Sequence, residues 1–566
     1  MSGTLARTIL DTAFGNGARL LALLEARRRA HPGDAQPWLH YVAVVAPGWD
    51  SREGPAILTD NASLSLTHSA DFHRWTWDDA HLSLTLCAGE SAELLGQWQL
   101  QADAVWWMHA VEPDPASAHT STASAIKALA ALCRRGATVH TTASWAALDD
   151  WQAAGFVRGE VRLPQRAPSA FIDLAALPLA AAQLVYAPPW TLRRTRQLQH
   201  TTTQPPTRCA VIGAGVSGAA AAYALARRGW AVTVLDANRH PAQAGSGVPA
   251  ALVAPLPSAD DNPASRLTRH GLRWMRQTLQ ALSAQGLLRQ GLDWEASGVT
   301  RLRDDGERLW QADGLWLRPD ALVWAWLAHP KIKFCSASSV ARINRQQALW
   351  QLESEDGQTL AQAELVVIAN ALGSQELLTP LAIEPRAASA VSMLRPAYGT
   401  VSMGVADGVA HLAAAPVNGA GSLIPALPGR TAAEPGHWLV GADFSARPLP
   451  LARAHAANLQ RMQTLAPDLQ TACWAPAAGQ DGASLQHWQG QRCVSHDRMP
   501  LVGPLLAAPD ASLWISAGMG ARGMAWAGIC AELLACRVSG EPWPLARKLA
   551  RHVDSQRRRV YIRNSI

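Results

Sequence analysis

Between residues 209 and 236 the chain reads CAVIGAGVSGAAAAYALARRGWAVTVLD, and no other stretch constrains the fold so tightly. The apolar run 209–212 has strand character, the alanine-rich 219–228 has helical character, and 231–235 is strand-like again. Three glycines stand at the first junction. Gly213 permits a tight turn, Gly215 lets the backbone approach a pyrophosphate, and Gly218 lets the helix pack close to the strand. The helix start offers unpaired N–H groups and a partial positive charge to phosphates. Asp236 closes the second strand, where a carboxylate accepts hydrogen bonds from a ribose hydroxyl. This is a dinucleotide-binding unit, and it predicts a largely parallel sheet with helices on both faces.

Further segments favour a flavin over a nicotinamide. Ala244-Gly245-Ser246-Gly247 follows shortly after the second strand. A strand at 365–369 runs into Asn370-Ala371-Leu372-Gly373, and a strand at 513–517 runs into the glycine loop 518–523 and a helix at 524–536. This arrangement resembles the D-amino-acid-oxidase-like FAD amine oxidases, and SHDRMPLVG at 495–503 resembles their stretch leading to that loop. The resemblance implies FAD held by Gly213, Gly215, Gly218, Asp236, Gly245, Ser246, Gly247, Gly518, Gly520 and Gly523. It implies oxidation of a C–N bond by hydride transfer to the flavin, with the protein aligning the reacting carbon.

The polar, basic, Thr- and Pro-rich stretch TLRRTRQLQHTTTQPPTR at 191–208 reads as a linker. It divides the chain into domains at 1–190 and 209–550, with a basic tail at 551–566. The first block alternates strand-like segments (8–13, 41–45, 82–86, 104–108, 138–142) with helical ones (18–30, 121–134). The expected fold class is therefore α/β throughout. A Rossmann-like, methyltransferase-type domain precedes an FAD-binding Rossmann domain that carries an inserted α+β substrate domain.

In that order the two blocks resemble the tRNA 5-methylaminomethyl-2-thiouridine biosynthesis bifunctional proteins almost end to end. The most specific matches are VIGAGVSG, GSGVPAALVAPLPS, SHDRMPLVG and GARGMAWAGICAELLA. The resemblance implies that the flavin domain removes the carboxymethyl group from carboxymethylaminomethyl-uridine at the tRNA wobble position. The other domain then methylates the exposed amine with S-adenosylmethionine. Ala13-Phe14-Gly15-Asn16-Gly17 resembles the family's S-adenosylmethionine loop, and Gly89-Glu90 its adenine contact, so Gly15, Gly17 and Glu90 are the candidate residues for that cofactor. Two departures stand out. The acidic residue usual after the second strand is missing from Val44-Val45-Ala46-Pro47-Gly48, and the family's Asp-Gly-Phe appears as His109-Ala110-Val111. His109 is then the candidate base. A non-catalytic RNA-binding or scaffold role for this block stays open, as does oxidation of a free small amine or amino acid by the flavin domain.

A buried substrate carboxylate needs a cation, and a guanidinium offers a bidentate fork. Arg492 and Arg522 are the candidates, with Arg498 nearby. Tyr398, Ser402 and His496 are expected to be structural. Composition sets the remaining limits. A formal charge of +6 over 566 residues permits an RNA partner without demanding one. The eight cysteines form no CxxC pair, so neither a zinc site nor a disulfide framework is expected. With no long apolar span and no secretory pattern, a cytoplasmic, metal-free, membrane-free monomer is expected.

Overall fold

The computed structural model describes residues 7–30, 37–55, 58, 65–66, 68, 70–108, 118–141, 148–158, 182–189, 207–406, 415–431, 433–467, 485–507 and 511–557. His109 and its two neighbours, and the linker up to residue 206, lie outside them. The chain forms two compact units, residues 1–205 with 536–550, and residues 206–535 with 551–566.

The first unit is built on β1 (Arg7–Asp11), α1 (Ala18–Ala30), β2 (Leu39–Val45), β3 (Phe72–Trp77), β4 (Leu82–Ala88), β5 (Ala102–Trp107), β6 (Cys133–Thr141), β7 (Phe156–Arg158) and β8 (Ala182–Tyr186). The sheet order is β3-β4-β2-β1-β5-β6-β8-β7. The five central strands from β4 to β6 pair in parallel, while β3 and β8 run antiparallel to their neighbours. Parallel strands covered on both faces require apolar residues on both sides, and β2 and β4 are buried at every position. Two clusters form on opposite faces of the sheet. Leu10, Val42 and Val105 belong to one, and Ile9, Tyr41 and Trp106 to the other.

Residues 536–550 belong to this unit, whereas sequence reading assigns them to the flavin domain. Arg74 accounts for their attachment. Its buried guanidinium donates to Thr85 Oγ1 at 3.0 Å and to the Pro542 carbonyl at 2.6 Å. Residues 551–557 are likewise more than a tail. Ser555 is fully buried, and Arg557 grips Asp497 through two 2.7 Å hydrogen bonds within the second unit.

The second unit contains β9 (Arg208–Ile212), α2 (Val216–Ala226), β10 (Ala231–Leu235), β11 (Ile332–Cys335), β12 (Leu365–Ile368), β13 (Arg395–Val405), β14 (Gln486–Val494), β15 (Leu501–Pro504), β16 (Leu513–Ala517) and, up to residue 535, α3 (Gly523–Ser539). Six of these strands make a sheet in the order β11-β10-β9-β12-β16-β15, parallel except for the edge strand β15. A separate seven-stranded sheet has β13 and β14 at one edge, paired antiparallel with Ala397 opposite Arg492. From β9 the chain moves outward to β10 on one side, and β12 lies on the other. The ends of β9 and β12 thus flank a topological switch point, the crevice where open α/β sheets take their ligands.

Candidate functional site

The site begins where β9 ends. Gly213 has φ +101°, and a Cβ there would stand 2.8 Å from the Ala369 carbonyl oxygen, so only glycine fits between the two strands. A Cβ on Gly218 would lie 1.9 Å from the Gly213 carbonyl oxygen, which explains how α2 starts so close to β9. Gly215 caps α2 and has only Ser246 Oγ near its missing side chain, at 3.3 Å. Its face is open to a ligand.

The Ala214 N–H donates to Asp236 Oδ2 at 2.6 Å, and Asp236 Oδ1 accepts from the Asn238 N–H at 2.8 Å. Asp236 therefore braces the glycine turn while it lines the crevice. Ser246 Oγ accepts from the Val216 N–H at 3.0 Å and so caps the helix itself. Gly245 and Gly247 are packed against backbone. Their Cβ atoms would meet the Gln491 carbonyl at 2.7 Å and the Ala242 carbonyl at 2.8 Å. After β16, Gly518 and Gly520 take φ of +72° and +56°, and Gly523 opens α3.

These elements enclose a cavity of about 640 Å3. Gly213, Gly215, Asp236, Gly245, Ser246, Gly518, Gly520 and Gly523 all line it, while Gly218 and Gly247 shape its wall from behind. The residues present fit FAD. A glycine cradle and a helix start face the crevice for the pyrophosphate, a carboxylate stands at the end of β10 for the ribose, and Gly518, Gly520 and Gly523 of the loop after β16 line the same cavity, Gly523 against Val216 at the start of α2.

Among the described residues lining this cavity, Asp236 and Arg492 are the only charged side chains. Arg492 Nη1 donates to the Asp443 carbonyl at 3.2 Å, and the guanidinium lies 5.9 Å from the Phe444 ring centroid. Burial lowers its pKa and the Asp443 carboxylate partly offsets that, but a guanidinium stays protonated. Gly399 makes room for it, because a Cβ there would stand 2.6 Å from Arg492 Nη1.

Arg522 is placed differently. It sits on a short 3-10 turn, its guanidinium lies 5.6 Å from the Trp526 ring centroid, and it is not among the lining residues. Burial first, and then Arg498, lower its pKa. Tyr398 accepts from Gln491 Nε2 at 2.9 Å, Ser402 accepts from Asn458 Nδ2 at 3.0 Å, and His496 pairs with Arg395 at 2.9 Å. None of the three lines the cavity. Sequence reading missed Gly399, Asp443 and Phe444, which hold Arg492. No motif marks them, because they come from strand-edge and loop positions far away in the chain.

In the first unit, Gly15 and Gly17 have φ of +59° and +78° just beyond β1, and Glu90 is exposed at the end of β4. Strand β1 ends in Asp11, which is fully buried. It accepts two 2.9 Å hydrogen bonds from Arg19 and one of 2.7 Å from the Tyr41 hydroxyl. Burial first, then the Asp11 carboxylate, push the Tyr41 phenol well above its ordinary pKa. Ala46, where the ribose acceptor is missing, is exposed just past β2.

Residues 208–311 and 296–537 match the family model described as FAD dependent oxidoreductase. The chain is 37% identical to the tRNA 5-methylaminomethyl-2-thiouridine biosynthesis bifunctional protein MnmC of Albidiferax ferrireducens, over 97% of this chain and 92% of that protein. It is 36% identical to the protein of the same description from Verminephrobacter eiseniae, over 97% and 96%. Among solved structures, the iminodiacetate oxidase of Chelativorans sp. BNC1 is similar over 59% of this chain and 96% of its own, at 20% identity and a TM-score of 0.48.

Proposed function

Because this chain belongs to the tRNA 5-methylaminomethyl-2-thiouridine biosynthesis bifunctional proteins, we propose that its second unit oxidatively removes the carboxymethyl group from 5-carboxymethylaminomethyl-(2-thio)uridine at the tRNA wobble position. The observation that carries this reading is the charge pattern of the FAD cavity. Its single cationic side chain among the described lining residues, Arg492, answers the single carboxylate of the group to be removed. A carboxylate buried without a partner costs several kcal/mol, on the order of the effective penalty for any buried ion. Arg492 supplies the fork that offsets this cost.

Bound flavin supplies the acceptor for the hydride that leaves the carbon beside nitrogen. The chain's own task is positional. Gly399 and the Asp443 carbonyl fix the guanidinium, the guanidinium fixes the carboxylate, and the carboxylate fixes the adjacent carbon. The glycine cradle and Asp236 hold the cofactor in the same cavity.

The first unit is read as the module for S-adenosylmethionine-dependent methylation of the exposed amine, supported by Gly15, Gly17 and Glu90 at the ends of parallel strands. One observation favours a second reading, in which this unit binds RNA without transferring a methyl group. The position of the ribose acceptor holds the apolar, exposed Ala46. A cytoplasmic monomer without a metal remains part of the proposal. Among the described residues, no helix is long and apolar enough to cross a membrane.

The test is anaerobic incubation of the yellow enzyme with tRNA bearing the carboxymethylaminomethyl nucleoside. Flavin bleaching with conversion to the aminomethyl nucleoside, read by mass spectrometry, supports the reading. Bleaching by glycine or sarcosine but not by tRNA would replace it with a small-amine oxidase, and methylated product appearing with S-adenosylmethionine would establish the first unit as active.

A further inference from the structure

The turn 495–499 beside the FAD cavity presents cations that flavin binding does not use. Val494, the last residue of β14, forms a β-bridge with Met519, and a Cβ on Gly520 would stand 3.3 Å from Val494 Cγ1. Met519 and Gly520 line the cavity, so the turn leaves directly from its rim. Its backbone is held from several sides. Ser495 Oγ donates to the Met499 carbonyl at 2.6 Å, the Met499 N–H donates to Asp497 Oδ1 at 3.1 Å, and Arg557 grips the Asp497 carboxylate. Met499 and Pro500 are buried, yet Arg498 is exposed. Its φ of +59° is a left-handed conformation uncommon for a residue with a side chain.

Other basic groups join it. Arg522, on the glycine loop between the lining residues Ala521 and Gly523, lies close enough to Arg498 for that charge, after burial, to lower its pKa. Both guanidinium groups stay protonated. Arg395, exposed and opposite Val494 in the β13–β14 pairing, donates to His496 Nδ1 at 2.9 Å. Among the described residues, no carboxylate forms an ion pair with Arg395, Arg498 or Arg522, and neither Arg498 nor Arg522 spends a side-chain donor on a hydrogen bond. The neighbouring Asp497 is committed to Arg557. Like charges held together without a counter-charge attract an anion, and two free guanidinium forks suit one with several oxygens.

The substrate says which anion this is. When the side arm of the wobble nucleotide enters the cavity, the phosphodiesters that join this nucleotide to its neighbours lie at the cavity's mouth. Arginine forks match phosphate oxygens, and such contacts set the position of a nucleic acid without reading its sequence. We infer that Arg498 and Arg522 clamp a backbone phosphate next to the wobble nucleotide in the tRNA anticodon loop, with Arg395 extending the basic track. The inference rests on the proposed action on wobble uridine.

The experiment uses full-length FAD-loaded enzyme and synthetic anticodon stem–loops carrying 5-carboxymethylaminomethyluridine at the wobble position. Matched stem–loops carry one uncharged methylphosphonate linkage, on the 5′ or on the 3′ side of that nucleotide. Equilibrium binding is measured across salt concentrations for wild type, Arg498→Gly, which suits the left-handed turn, Arg522→Gln and the double variant. Each single variant weakens binding about five- to tenfold at low salt, as expected for one partly exposed charged hydrogen-bonding group. The double variant also makes the slope of log affinity against log salt shallower by about 0.7, the value for one phosphate of a single strand. One of the two methylphosphonates weakens wild-type binding by a similar factor and leaves the double variant unaffected. Double-variant binding within twofold of wild type, an unchanged salt slope, or losses that multiply with both methylphosphonates would overturn the inference. Flavin reduction is followed in the same samples. Wild type that binds the stem–loop but never reduces flavin overturns the oxidation reading, whereas wild type that reduces flavin beside a double variant that binds equally well overturns only the phosphate contact.

Discussion

Arg492→Ala removes the guanidinium that we place against the substrate carboxylate and leaves the FAD cradle untouched. The geometry sets the size of the effect. Arg492 lines the cavity, spends a hydrogen bond on the Asp443 carbonyl, and keeps donors for an oxyanion. Truncating one partner of a buried, hydrogen-bonded charge pair costs roughly 2–5 kcal/mol, or about 30- to several-thousand-fold. Phe444, beside the guanidinium, is 54% exposed, so water reaches this end of the cavity and the loss falls in the lower part of that range, on the order of a hundredfold. Arg492→Lys keeps the charge without the planar fork and loses about tenfold. Gly399→Ala tests the positioning separately. Its methyl group would stand 2.6 Å from Nη1 and 2.8 Å from the Asp443 carbonyl oxygen, so the guanidinium must move although its charge remains. The assay is anaerobic stopped-flow reduction of the flavin over a range of modified-tRNA concentrations. All three variants should bind FAD and stay yellow. If Arg492→Ala reduces flavin with the wild-type maximal rate and half-saturating concentration, the carboxylate is held elsewhere and the site assignment is wrong.

Three other outcomes are expected. Gly215→Val should fold yet purify colourless, because the face at Gly215, which meets only Ser246 Oγ at 3.3 Å, is where the pyrophosphate approaches, whereas Gly218→Ala, with its Cβ 1.9 Å from a backbone oxygen, should lower the melting temperature more. Calorimetry with S-adenosylmethionine should give weak binding. Ala46→Asp should strengthen it about two- to tenfold, the worth of one restored hydrogen bond of about 0.5–1.5 kcal/mol, and no gain would show that the ribose is not bound there. Asp497 should make the second unit acid-sensitive. Burial alone would raise its carboxyl, but the hydrogen bonds and charge of Arg557 outweigh burial and hold it below the ordinary value of about 3.9. That stabilisation is complete above this value and is lost as pH falls through the lower folded one. Denaturant midpoints measured below about pH 4 should therefore drop more steeply for wild type than for Asp497→Asn, and parallel curves would refute it.

The local part of this protein is written in the order of its residues. The β9–α2–β10 unit, its three glycines and Asp236 were legible because each role depends on neighbours within one turn or one strand. The alternation of strands and helices in the first unit is legible for the same reason, although the helix expected over 121–134 ends at Leu132 and the next two residues begin β6. The choice between Arg492 and Arg522 was not legible. Both lie beside flavin-side segments in the chain. Only the pairing of β14 with β13, which sets Arg492 across from Ala397 and beside the empty place at Gly399, puts one on the cavity while the other packs over Trp526. The return of residues 536–550 to the first unit was likewise invisible, because the buried Arg74 meets a carbonyl 468 positions away. Spacing encodes what one helix or strand does. Which distant backbone oxygen satisfies a buried guanidinium is decided only when the whole fold closes around it, since that partner is supplied by packing and carries no mark in its own residue type.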